Sequence, residues 1–164
     1  MIGKVMLLAT CFALFGACAV NKTNPGEVFE QLKTLVGEWE GKTDAGRVLR
    51  VSYRLVANNT VLVETWTLAP QREALTLYHM DNGSLMATHY CPLGNQPRLR
   101  LKVPSTSPSF IFEFVSATNL PKTELAHQHQ FEIQLLGTDS FSRSETYVEN
   151  GTAESERVTY SRAR

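Results

Sequence analysis

Glu64 is the residue of this chain whose placement implies the most chemistry. If Asn58-Asn59 is a two-residue turn, the flanking alternation pairs Leu55 with Leu62, Tyr53 with Glu64 and Val51 with Trp66. Arg50, Ser52, Arg54, Val61, Val63, Thr65 and Thr67 then share the opposite, more polar face. Glu64 is left on the inner face among aromatic side chains. A bare carboxylate there is costly unless it is hydrogen-bonded, ion-paired or protonated. It can orient a ligand in a mostly apolar cavity, or make a structural bond to Tyr53 or to an arginine. Arg98, just after Pro97, can supply that arginine if its strand begins with a bulge. Glu64 is therefore expected to be buried, with a tyrosine hydroxyl or a guanidinium in reach.

The hairpin around Asn82-Gly83 gathers a second polar group. One face carries Leu75, Leu77, His79, Met86, Thr88 and Tyr90; the other carries Thr76, Tyr78, Met80, Leu85, Ala87, His89 and Cys91. Neither face is wholly apolar, as expected if one lines a partly polar cavity. Thr76 falls opposite His89, with Cys91 two residues along. A Cys-His pair can be a nucleophile and its base, but no orienting carboxylate is evident, and a free cysteine is usually a small buried hydrophobe. His127 and His129, two apart, point to one side of a regular strand. They could ligate zinc with a third ligand or offer an axial haem ligand. In the last hairpin Phe141 meets Tyr160, Arg143 meets Val158, and Glu145 meets Glu156. Opposed like charges destabilise a pair, so either Arg143 bridges them or a bulge shifts the register. The expected ligand-binding set is Tyr53, Glu64, Trp66, His89, Tyr90 and Arg98, with no catalytic residue and no metal.

These residues need a barrel or sandwich to bring them together. Pro25 to Val36 has apolar residues at helical spacing, stopped by Gly37. From Glu38 the period is two, giving about ten strands: 38–42, 47–56, 60–67, 73–80, 85–91, 98–103, a run through Phe110, Phe112 and Phe114, a run through His129 to Leu135, 140–148 and 153–162. Asn82-Gly83 and Asn150-Gly151 supply the positive-φ pairs of type I′ turns. One short helix followed by continuous hairpins predicts an all-β, antiparallel up-and-down barrel, whose closure removes exposed edges.

The chain of 164 residues has 16 basic and 16 acidic side chains, so nothing marks it for nucleic acid. Phosphate-loop, dinucleotide and paired-cysteine zinc motifs are absent. Met1 to Lys4 is basic, and Val5 to Val20 carries no charge, too short to span a membrane but suited to a secretory signal. Ala17-Cys18-Ala19 fits ordinary signal peptidase. Leu14-Phe15-Gly16-Ala17-Cys18 resembles a bacterial lipobox, with Phe15 in place of the usual Leu, Val or Ile. The expected division is a signal peptide over 1–19 with lipoprotein-type cleavage before Cys18, a short tether over 20–26, and a barrel domain over 27–164. Cys18 would then carry a lipid anchor in the cell envelope or periplasm, and Cys91 would have no intramolecular disulfide partner.

Gly37-Glu38-Trp39 after a helix resembles the Gly-x-Trp entry of lipocalin-like (calycin) barrels, and Arg162 stands where such barrels place a partner for that tryptophan. Leu35-Val36-Gly37-Glu38-Trp39-Glu40-Gly41 is also similar to the opening of nitrobindin-like barrels. Thr88 to Arg98, THYCPLGNQPR, resembles a segment of exported bacterial lipocalin-like proteins of uncharacterised function. The resemblance implies the barrel fold, and the mixed inner faces, with Glu64, Trp66, Tyr53, His89 and Tyr90 among aliphatic residues, favour non-covalent binding of a small apolar or amphipathic ligand, without catalysis. Haem or other enzyme chemistry is the first alternative. In nitrobindin-like proteins the haem-ligating His lies near the C-terminus, and no His follows His129 here. An envelope scaffold acting through the loop from Pro92 to Pro97 is the second alternative.

Overall fold

The computed structural model describes residues 24–43, 45–69, 72–103 and 108–163. The signal segment and Cys18 lie outside the described residues. Helix α1 spans Pro25–Lys33. The Asn24 side chain accepts a bond from the Gly26 amide, and Pro25 opens the first turn with its φ already helical. The helix stops one turn short of the expected Val36. Thr34 caps it, and the Leu35 carbonyl accepts a 2.6 Å bond from the Trp39 indole.

Ten strands follow: β1 Gly37–Lys42, β2 Val48–Val56, β3 Val61–Ala69, β4 Arg72–Asp81, β5 Ser84–Tyr90, β6 Gln96–Leu101, β7 Ser109–Thr118, β8 His127–Leu135, β9 Ser140–Glu149 and β10 Thr152–Arg162. Each pairs antiparallel with its sequence neighbours, and β1 pairs with β10, so the sheet is a closed barrel. The three expected hairpin registers are present: Tyr53 opposite Glu64, Thr76 opposite His89, and Phe141 opposite Tyr160. Asn82 and Gly83 have φ of 46° and 80°, and Asn150 and Gly151 have 52° and 76°, as type I′ turns require.

The alternating strand directions give the barrel two unlike ends. The turns at 57–60 and 82–83 and the 136–139 loop share one end with α1, which packs on β4 and β5. That end is filled. Val28 and Leu32 of α1 are fully buried, and Trp39, Tyr53 and Phe141 meet edge to face at 5.0 and 5.9 Å. Phe112 stacks on Phe131 at 4.6 Å, among Leu62, Leu85, Leu99 and Phe110. Each such side chain contributes roughly 1.5–3 kcal/mol on full burial. Arg162 closes the seam, with its guanidinium 4.3 Å from the Trp39 ring centre and donating to the carbonyls of Val36, Thr34 and Thr138.

The opposite end carries the 91–95 and 119–126 loops and the 150–151 turn. Here the sheet is irregular. β7 is bulged where Arg98 and Leu99 face Ser116 and Phe114, and β8 is bulged between Gln128 and Gln130. Pairing of β7 with β8 stops at Glu113 and Gln130, so their last residues at this end do not pair with each other.

Candidate functional site

Glu64 is fully buried. Its Oε1 accepts from the Trp66 indole N–H. Its Oε2 accepts from the Tyr78 hydroxyl at 2.6 Å and from Arg143 Nη1 at 2.8 Å. Strand alternation explains the grouping, since Glu64 and Trp66 are two apart on β3 and Tyr78 belongs to the inward set of β4. Arg143 lies on β9, two residues after the inward Phe141, and only 1 % of its side chain is exposed. Its Nε donates to Glu145 at 2.7 Å, and its guanidinium lies 4.2 Å from the Phe131 ring centre and 5.3 Å from that of Trp66. Gln128 donates to the same Glu145 oxygen at 3.1 Å.

The arginine beside Glu64 is therefore Arg143 and not Arg98. Arg98 is exposed, between inward Pro97 and Leu99. The expected bulge at this step is real, but its extra residue sits in β7, so the parity of β6 is unchanged and Arg98 stays outside. Tyr90 is a second correction. Adjacent residues of a strand face opposite sides, so with His89 inward (2 % exposed) Tyr90 is on the outer wall at 44 %. The β8 bulge makes a third. His127 is fully buried while His129 is exposed, although the two rings still bond, Nε2 to Nδ1 at 3.2 Å, beside Phe114. Among the described residues, no three His, Cys, Asp or Glu side chains are grouped to hold a metal ion.

The opposed pair Glu145 and Glu156 keeps its register, and the two carboxylates turn apart. Glu145 goes inward to Arg143, and Glu156 lies 3.8 Å from Arg47 at the rim. On the β4–β5 side, Thr76 Oγ1 is 3.1 Å from His89 Nδ1, and the Tyr147 hydroxyl is 3.5 Å from His89 Nε2.

These groups border a cavity of about 100 Å³ at the end away from α1, lined among others by Trp66, His89, Arg143, Glu145, Tyr147 and Tyr160. Gly41 shapes one wall, because a Cβ there would stand 2.7 Å from the Tyr160 ring, which lies over the glycine. Burial raises the Tyr147 and Tyr160 phenols, and the Glu145 charge raises them further, so both stay neutral donors. Burial also lowers the His89 pKa, which keeps the ring neutral. Burial opposes the charge on Arg143, but Glu64, Tyr78, Glu145 and Tyr53 together more than offset this and hold its pKa well above the usual value. Three buried polar atoms near the site, Tyr53 Oη, Arg143 Nη2 and Gln128 Oε1, have no hydrogen-bond partner among the described residues.

No family model matches the chain, and no curated protein matches it in sequence. Among solved structures, the chain is similar to a protein of unknown function from the DUF3598 family of Nostoc punctiforme, with a TM-score of 0.53 and 13% identity over 81% of this chain. The chain spans about half of that protein, 49% of its length. At this identity the likeness is one of fold alone: a barrel whose function is open.

Proposed function

We propose that this protein is an exported, lipocalin-like binding barrel that holds a small amphipathic molecule without catalysis in the cavity away from α1. The observation that carries the reading is the contrast between the two ends. The barrel interior is packed by aromatic and aliphatic side chains toward α1, and the other end leaves about 100 Å³ bordered by Arg143, whose buried Nη2 has no hydrogen-bond partner among the described residues. Sites for drug-sized ligands run roughly 300–1,000 Å³, so a long lipid chain does not fit and the ligand is small. Trp66, His89, Arg143, Glu145, Tyr147 and Tyr160 would touch it, while Tyr53 and Glu64 set the geometry behind them.

Export and a lipid anchor at Cys18 belong to the proposal and rest on the apolar run and lipobox-like residues before Ala19. The chain enters the barrel at the α1 end, so the cavity would open away from the membrane. Haem chemistry has no observation in its favour, because the cavity is smaller than a porphyrin needs and His89 Nδ1 is already engaged by Thr76. Native mass spectrometry of the chain purified from its own host is expected to show an adduct below about 200 Da, the size class the cavity admits. A chain that carries no adduct and gains no thermal stability from any small molecule in a broad panel would end the reading.

A further inference from the structure

We infer that the cavity takes a small organic cation, a protonated or methylated amine, held by Glu145 between aromatic walls. This rests on the binding reading above and gives the ligand its charge.

Four charged side chains line the cavity: Arg47, Arg143, Glu145 and Glu156. Arg47 and Glu156 lie 3.8 Å apart at the rim, both more than half exposed, and largely cancel in water. Inside, one guanidinium stands against two carboxylates. Glu64, fully buried at 2.8 Å, already balances the charge of Arg143. Glu145, which lines the cavity, is then in excess by one negative charge, and its side chain is 28 % exposed. Both bonds it accepts, from Arg143 and Gln128, go to Oε1. Among the described residues, Oε2 remains to receive a donor.

The walls suit the same ligand. Trp66 and Tyr160 meet at 79° with centres 5.6 Å apart, and Tyr147 lies two residues from Glu145 on β9. Tyr160 is already stacked on Phe141, so the aromatic rings serve as a water-excluding wall beside the carboxylate, where an ammonium would be held more strongly than in water. The field agrees, since Glu145 raises both phenols by more than Arg143 lowers them. An anion would meet that same field. The unpartnered Arg143 Nη2 asks for an acceptor, and a neutral oxygen on the ligand satisfies it without a second negative charge.

Calorimetric titration of the folded chain at neutral pH with n-butylammonium, n-butanol and n-butyrate separates the cases. The ammonium is expected to bind at least about ten-fold more tightly than the carboxylate. Glu145→Gln should abolish that preference, and Glu149→Gln, an exposed acid outside the cavity, should not. The probe series on the unmodified chain carries the test alone if Glu145→Gln does not fold. Butyrate or butanol binding as tightly as the ammonium, or a preference that survives Glu145→Gln, overturns the cation assignment and leaves small-molecule binding standing. Failure of all three probes overturns the cation assignment, and the binding reading falls with it only if native mass spectrometry also finds no adduct.

Discussion

Glu64 and Arg143 form a buried ion pair that neither member leaves cheaply. Removing one partner of such a pair strands the other charge and costs about 3–5 kcal/mol, while replacing both with apolar groups costs far less. Arg143→Met alone is therefore predicted to destabilise by about 3–5 kcal/mol. Glu64→Gln, which keeps shape and the Tyr78 bond, is predicted to fall near the lower end. The double variant Glu64→Leu with Arg143→Leu should lose clearly less than the sum of its singles in urea unfolding. Strict additivity would show that the pair is not coupled. His89 supplies the pH dependence. Burial lowers its folded pKa below the ordinary 6.5, so below that value the unfolded chain takes up a proton that the folded chain resists. Stability from this residue is present above pH 6.5 and lost as the pH falls toward the folded value. His89→Gln should flatten the stability curve on that acid side, and an unchanged curve would place the acid sensitivity elsewhere.

At the scale of strands and turns, two glycines separate backbone strain from crowding. Gly83 has φ of 80° and open space around it, so Gly83→Ala meets only the left-handed penalty, roughly 1–2 kcal/mol. Gly41 has no such backbone, but its added Cβ would strike Tyr160 and Val158. Gly41→Ala is predicted to cost a comparable 1–3 kcal/mol and, unlike Gly83→Ala, to move Tyr160 into the cavity and weaken any ligand. Equal effects of both on binding would contradict the role given to Gly41. The same scale shows what the sequence could carry. Asn-Gly turns and strict alternation specify register locally, which is why Glu64, Tyr53, Trp66, Thr76 and His89 were placed correctly. Bulges leave no comparable local signal. Because the bulge beside Arg98 sits in β7, the alternation of β6 leaves Arg98 outside, and the extra residue in β8 moves His129 off the inner face.

Closure is a property of the whole molecule, and it decides which distant residues meet. Arg143 and Glu64 are 79 residues apart and lie on strands that are not hydrogen-bonded to each other. Alternation puts Arg143 on the same face of its hairpin as Phe141, but nothing local said that this face is the inner one or that the far wall of the barrel holds its carboxylate. Closure also divides the interior: α1 and Arg162 seal one end, and at the other a cavity remains, walled by residues of β2 to β5, β9 and β10 and by Pro92. Ten strands suggested a roomier interior than the roughly 100 Å³ present, because Phe112, Phe131, Tyr78 and Trp39 turn inward and fill most of it. The central claim is that the remaining space is occupied in use. A high-resolution crystal structure of the chain purified from its own host tests it most directly. Non-protein density is expected against Trp66, Tyr147 and Glu145. A cavity holding only ordered water, or closed by Arg143 or Tyr147 swinging across it, would contradict it.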